Sequence, residues 1–448
     1  MDFEQMKKVL IAAAERAGLT DYDLYCERTE QISAETLKDE ISAFSSGVSG
    51  GIAFRCVVNG KLGSATSQRL TPDAMEDLVA RAVANAAAVD SDDVPEIFAG
   101  SPSYAKPKIP VPVLLGAGDA RRLALDLQRA TYAASDKVGD GTQSYVVSFV
   151  DEISMANSKG LSLSNRVGIS GGYVGPVVRS GNEARDAYRS AEGADMAALG
   201  HLPREAVDRA LAKLGAAEIP SGKYPVVFSG EQFRNFLATF SPVFSAKQAQ
   251  LGLSLLAGKE GQTVASPVVS ILDDPMPEGA SIQTPFDGEG VATYRKTVVE
   301  NGVLKTLLYD LTTARKAGVS STGNGRRGSY STPVSISPYR FSLCPGTDTL
   351  DDLFRAAGDG IYITDCKGFH AGANSVTGDF SIESEGFRIR DGKPAEPIRG
   401  FTVAGNFFDL LKNVARVGDT VRWPFSGSAT CFGSPDVFVP SMSVAGKE

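Results

Sequence analysis

The sequence predicts an α+β protein: a mixed helix-and-sheet domain over residues 1–220, then a β-rich domain with few short helices over residues 221–448. Three observations support this. Helical and alternating segments mingle in the first half without a regular strand–helix–strand rhythm. Hairpin signals and many of the 47 glycines crowd the second half. Pro220-Ser221-Gly222 makes a plausible break between the halves.

Taken in order, Phe3, Met6, Leu10, Ala13 and Ala17 recur at helical spacing behind Asp2 as a cap, and Gly18 stops the helix. Tyr22, Leu24 and Cys26 alternate with charged neighbours as in a half-buried strand. Asn59-Gly60 sits between extended runs 52–58 and 61–66, a hairpin signal because both turn residues need positive φ. Pro72 opens a helix to about residue 89. Residues 92–112 hold Pro95, Pro102, Pro107, Pro110 and Pro112 and read as an extended surface connector. A helix at 117–134, strands at 145–150 and 153–156, and a helix from Pro203 towards Gly215 complete the first half. In the second half, hairpins turn at Asn301-Gly302 and Asp391-Gly392, and short helices fall at about 231–240, 311–317, 350–357 and 406–414.

Composition bounds the function. With 42% apolar and 22% charged residues the chain is globular, and no apolar run reaches the eighteen residues of a membrane helix. The polar N-terminus lacks the order of a signal peptide. Five scattered cysteines suit a reducing cytoplasm. A net charge of −8 argues against extended nucleic-acid binding. There are two histidines, His201 and His370, 169 positions apart, so no helix carries a histidine pair for zinc, and no Cys-x-x-Cys replaces one.

Several motifs have bland readings. Gly323-Asn324-Gly325-Arg326-Arg327-Gly328 matches a dinucleotide fingerprint, yet a helix precedes it where a strand is required. It reads instead as a mobile, glycine-rich loop with two arginines, able to hold a carboxylate or phosphate. Ser49 and Ser170 sit in G-x-S-x-G frames without the strand–serine–helix context of a nucleophile elbow. His370 lies in a glycine-flanked loop, and His201 reads as a helix-entry residue. Asp273-Asp274 and Asp351-Asp352 read as structural, the latter pair in a helix first turn.

The segments Val376-Thr377-Gly378-Asp379-Phe380-Ser381, Pro397-Ile398-Arg399-Gly400-Phe401, Thr313-Ala314-Arg315-Lys316-Ala317-Gly318, Ser321-Thr322-Gly323-Asn324 and Gly433-Ser434-Pro435 resemble the TldD/PmbA family, once labelled a modulator of DNA gyrase. Glu40-Ile41, residues 51–55 and residues 59–65 extend the resemblance more weakly into the first half. TldD-like members carry His-Glu-x-x-x-His on a helix and bear zinc; PmbA (TldE)-like members lack it and pair with them. Laid on this chain, that motif falls on Ala238, Thr239 and Val243, none of which offers zinc a ligand, and Cys431 lies near the late ligand.

The resemblance implies the PmbA branch: no zinc and no catalytic residue in this chain, zinc in a TldD-like partner, and a shared cavity that cleaves unfolded or leader-bearing peptides. Gly323, Asn324 and Arg326 in one loop, and His370, Asn374, Thr377 and Asp379 in another, are the candidate peptide or partner contacts. The alternative is a homodimeric module that binds peptides or a small anion and cleaves nothing.

Overall fold

Asp2 closes a capping box with Gln5 and starts the helix Phe3–Arg16, which lays Met6, Leu10, Ala13 and Ala14 against a sheet. The computed structural model describes residues 1–91 and 93–447. The sheet has six strands, in the spatial order Lys61–Ser67, Glu40–Val58, Tyr22–Leu37, Gln143–Asn157, Ser162–Gly175 and Arg189–Glu192. Every neighbouring pair is antiparallel. Helices Pro72–Ala86 and Ala117–Ala133 cover it with their apolar stripes.

The strands exceed what alternation predicts. The expected pair 145–150 and 153–156 is one continuous strand, because Asp151, which breaks the apolar pattern, accepts a hydrogen bond from Thr29 Oγ1 at 2.8 Å across the sheet. Tyr22–Leu37 and Glu40–Val58 form a long hairpin turning at Lys38 and Asp39, both at positive φ, with no Asn-Gly to announce it. The connector carries neither helix nor strand over residues 93–112; its first residue, Asp92, lies outside the described residues.

The C-terminal half contains a small closed barrel. Strands Gly222–Phe228, Gly360–Lys367, Asp379–Arg390, Lys393–Asn406 and Val437–Ala445 follow one another, and the last two also pair, so the ring closes and its edges disappear. A five-stranded sheet (Val303–Leu304, Lys296–Glu300, Ile271–Asp274, Arg340–Leu343 and Cys431–Gly433) lies beside it. The helix Gly230–Phe240 is wedged at this junction. Phe236 meets Phe380 of the barrel at 5.0 Å between ring centroids, and Phe240 stacks on Phe407 at 4.5 Å. Barrel and sheet share one core. Among the described residues no helix is long and apolar enough to cross a membrane.

The two halves meet along a seam. Phe286 packs with Tyr25, Ala53 and Met155 of the N-terminal sheet. Tyr104 of the connector donates to the Gly290 carbonyl at 2.8 Å, and Tyr330 N donates to Glu27 Oε2 at 2.7 Å.

Candidate functional site

The seam is lined with charge that the sequence scatters over 300 positions. Asp23 and Arg55 stand opposite each other on neighbouring strands, in register with adjacent partners. Arg55 Nε donates to both Asp23 oxygens, at 3.0 and 3.1 Å, and its Nη2 binds the same carboxylate. From the other half, Arg327 brings Nη2 to 3.5 Å from Asp23 Oδ1, donates Nε to the Gly288 carbonyl at 3.0 Å, and stacks over the Tyr25 ring. Burial pushes the Asp23 carboxyl upward, but Arg55 and Arg327 outweigh it and hold it below the usual carboxylate range. Burial, with Arg55 beside it, lowers Arg327 to about 10.

Asp287 and Glu289 project from one tight turn of the C-terminal half. Asp287 accepts backbone N–H bonds from Glu289, Val291 and Gly325, at 2.9–3.0 Å, and burial still raises it to about 6. Glu289 accepts one, from Leu311 N at 2.9 Å. Burial and the neighbouring Asp287 carboxylate push it up to about 8, against the pull of Arg55. The glycine loop makes this approach possible: a Cβ on Gly325 would run into the Glu289 carboxylate.

These groups form a partition between two clefts. One, of about 890 Å³, has Arg55 and Glu289 in its lining. The other, of about 310 Å³, is lined by Asp287, Arg326, Arg327, Tyr25, Glu27 and Asp151 among others. Burial and the nearby Asp151 raise the Glu27 carboxyl, and burial raises Asp151. A third cleft, about 610 Å³, lies where helix Leu202–Leu211 meets the barrel; Glu231 there joins Arg189 and Arg209 in ion pairs, and His201 is part of the wall.

The loop 323–328 is held in place rather than loose. Asn324 is fully buried; its Nδ2 donates to Asp273 Oδ2 at 2.8 Å and to the Ser337 carbonyl at 3.1 Å, while Thr322 Oγ1 donates to its Oδ1 at 2.7 Å. Asp273 is itself paired with buried Lys296, at 3.2 Å. Gly323 sits at φ +70 against the Ala292 carbonyl. Arg326 lines the smaller cleft, stacks over Tyr339 and donates to Thr430 Oγ1 at 3.0 Å. No helix follows the loop, which enters a short strand pair, Gly325–Arg326 with Ser335–Ile336. His370, on the single turn Phe369–Gly372, is exposed, as are Asn374, Thr377 and Asp379. Asn374 Oδ1 accepts from Val376 N and Thr377 N, and Asn406 Nδ2 donates to Asp379 Oδ1 at 3.0 Å. The two sets of candidate contacts therefore differ: one is at the seam, the other on an outer turn.

Ser49 and Ser170 both lie inside strands, and Ser170 Oγ is 2.8 Å from Ser148 Oγ, with no imidazole in the pair. Asp352 closes a capping box with Thr349, as its place in a first turn predicts.

The donors present do not fit a zinc ion at the helix Gly230–Phe240. Phe233, Phe236, Leu237 and Phe240 face the core, which leaves Glu231, Arg234, Asn235, Ala238 and Thr239 on the less buried face. Val243 lies in the following turn of 3-10 helix, Ser241–Phe244, and is buried in the core. The face holds no imidazole, its one carboxylate is tied to two arginines, and among the described residues no three His, Cys, Asp or Glu side chains gather as metal ligands.

Sequence reading missed the buried partition because its members are far apart in the chain. One local signal was available: Asp287-Gly288-Glu289-Gly290, two acids alternating with glycines between Phe286 and Val291.

Comparison with known proteins agrees along the whole length. Sequence models of three domains match: PmbA/TldA metallopeptidase domain 1 over residues 22–86, the central domain over 113–214 and the C-terminal domain over 221–446. A metalloprotease of Methanothermobacter thermautotrophicus is 29% identical over 441 residues, covering 94% of this chain and 92% of the relative. Metalloprotease PmbA of Escherichia coli O157:H7 is 24% identical over 99% and 98% of the two chains. A Thermotoga maritima structure, named for modulation of a DNA gyrase, superposes with a TM-score of 0.86 at 28% identity, covering 99% of this chain and 100% of that one. TldE from Thermococcus kodakarensis shares the fold, with a TM-score of 0.87 at 21% identity over 98% and 99%. The chain belongs to the PmbA/TldD family of metallopeptidase-like proteins.

Proposed function

We propose that this chain is the non-catalytic subunit of a cytoplasmic metalloprotease that processes or degrades peptides, with bond cleavage carried out by a zinc-bearing, TldD-like partner. The observation that carries the reading is the helix Gly230–Phe240. It is packed into the core by four large apolar side chains, while its less buried face offers Glu231, which is tied to Arg189 and Arg209, then Arg234, Asn235, Ala238 and Thr239, and no imidazole. The reading is supported by a family scaffold whose helix, among the described residues, offers no set of zinc donors.

Peptide handling is supported by an open sheet edge. Strand Glu40–Val58 pairs with Lys61–Ser67 only from Ile52 onward, so residues 41–51 are bonded on one side alone among the described residues. From Ile41 to Phe54 there is no charge and no proline, the usual guards of an edge. An extended peptide can add there through main-chain hydrogen bonds that ignore sequence. Arg326 at the smaller cleft, with Gly323 and Asn324 shaping its loop, and His370, Asn374, Thr377 and Asp379 on the outer turn are the proposed peptide or partner contacts. A cytoplasmic location is supported by five unpaired thiols, three of them buried.

The test is reconstitution. Purified chain, a TldD-like chain and their mixture are assayed on an unstructured peptide, with co-migration followed by size-exclusion chromatography. The expected result is a mixed complex that cleaves, and no cleavage by this chain alone. A stable self-dimer that ignores the TldD-like chain would favour the homodimeric binding module instead.

A further inference from the structure

The cleft of about 890 Å³ on one side of the charged partition has an unusual balance of charge. Its lining includes Asp93 and Glu96, which are tied to Lys316 and Arg315. Arg55 is tied to Asp23. Glu260, Asp310 and Glu289 join no ion pair among the described residues, and the single unpaired cation of the lining is Lys247, leaving three unpaired acids to one base. Two of the three are occupied otherwise: Glu260 accepts from Leu307 N and the Tyr309 hydroxyl, and Asp310 caps the helix Leu311–Ala317. Glu289 is the exception. It is 9% exposed, lines the cleft, accepts one backbone bond through Oε2 and, among the described residues, has no partner for Oε1.

A carboxylate so buried is costly to ionise without a counter-charge. The groups around it do not supply one. Asp287 from its own turn and Asp310 from the helix start repel its charge. Arg55 attracts it from the N-terminal sheet but is committed to Asp23, and Arg327 shares that same partner. The lining of the cleft also includes the apolar side chains of Leu62, Leu307, Leu311 and Val334. Such a pocket accepts a cation carried on a short apolar stem better than an anion, which would meet three unpaired acids.

We propose that this cleft binds an organic cation, the ammonium or guanidinium group of a peptide, with the Glu289 carboxylate as its counter-charge. The identity of the carrier as a peptide rests on the function proposed above; the cation site itself does not. The cation takes the place of the proton that Glu289 otherwise retains, so binding releases one proton and tightens as pH rises. With the carboxyl raised to about 8, affinity for a lysine or arginine side chain, whose charge is constant over the range, grows roughly twenty-five-fold between pH 6.5 and 8.5, and affinity for an amino terminus, which itself loses its proton near 8, grows only about five-fold.

The experiment uses this chain alone, without a partner or zinc, so its outcome is separate from that of reconstitution. Trialanine amide with a free amino terminus, its N-acetyl derivative, N-acetyl-lysine amide and N-acetyl-arginine amide are titrated calorimetrically at pH 6.5, 7.5 and 8.5. Expected are binding by at least one cationic probe, with the strongest naming the source of the charge, the predicted rise with pH, and, by Glu289→Gln, binding at least ten-fold weaker at pH 8.5 and without a rise with pH. The rise with pH in the unaltered chain stands independently of the variant. The proposal is overturned if no cationic probe binds, if the neutral N-acetyl peptide binds as well as the cations, if affinity is flat with pH, or if Glu289→Gln binds like the unaltered chain.

Discussion

Arg327, on a loop of the C-terminal half, brings its Nη2 to 3.5 Å from Oδ1 of Asp23, on the first strand of the N-terminal sheet. Asp23 is thereby shared by two buried guanidinium groups, one from each half of the chain. Removing one member of a buried ionic group leaves the others uncompensated, which costs about 3–5 kcal/mol. Asp23→Asn is therefore expected to lower unfolding stability by about that amount, measured by urea denaturation at pH 7. A loss under 1 kcal/mol would mean that the partition is not a structural tie between the halves.

Glu289 gives the opposite pH signature from Asp23. Burial and the Asp287 carboxylate raise its folded carboxyl to about 8 from the ordinary 4.5, so the folded state holds a proton that the unfolded chain releases at lower pH. Its favourable contribution is fully present below about pH 4.5 and is lost as pH rises towards 8. Asp23, held low, contributes in the other direction and loses its contribution as pH falls through its folded value. Glu289→Gln, which mimics the protonated form, is expected to flatten the decline in denaturation midpoint between pH 5 and 8. An unchanged slope in the variant would assign that decline to other groups.

Asn324 is predicted to be a scaffold residue of its loop. Its side chain donates to Asp273 and to the Ser337 carbonyl from a fully buried position, so Asn324→Ala leaves buried acceptors unmatched at a cost of about 1–3 kcal/mol. Thermal unfolding followed by circular dichroism reads this directly. A variant with unchanged melting would leave Asn324 free for a role in contact alone.

Gly325 is expected to tolerate no side chain while Glu289 is present, because an added Cβ meets the Glu289 carboxylate and the Asp287 Oδ2 at 3.2 Å. Gly325→Ala is predicted to cost about 1–3 kcal/mol, and combining it with Glu289→Ala to cost less than the sum of the two single changes. Strict additivity in that cycle would place the strain elsewhere.

What the sequence made legible was local. Asn59-Gly60, Asn301-Gly302 and Asp391-Gly392 all adopt positive φ at both residues and turn hairpins, because few residue pairs reach that conformation cheaply. The caps and apolar stripes of Phe3–Arg16, Leu311–Ala317 and Leu350–Ala357 likewise fix helices from short-range physics. The reach of strand Glu40–Val58 into its exposed stretch was hidden, since Ser42, Ser45, Ser46 and Ser49 with Gly47 and Gly50 show no apolar alternation and are held in the strand by pairing with Tyr22–Leu37. Barrel closure was hidden too, because it depends on Thr402 pairing with Ala445 and on its neighbours, residues about forty positions apart. At the site, the glycines of 323–328 stood out, whereas Asp23, Arg55 and Glu289 are ordinary charges until the fold buries them together.

On the proposed role, this chain keeps the family scaffold without its metal chemistry. The most direct test of that role is metal analysis of the purified chain and of its complex with a TldD-like partner, by inductively coupled plasma mass spectrometry with peptidase activity measured on the same samples. The expected result is no stoichiometric zinc and no activity in this chain alone, and chelator-sensitive zinc and activity in the complex. Stoichiometric zinc in the chain alone, with peptide cleavage that chelation abolishes, would contradict it.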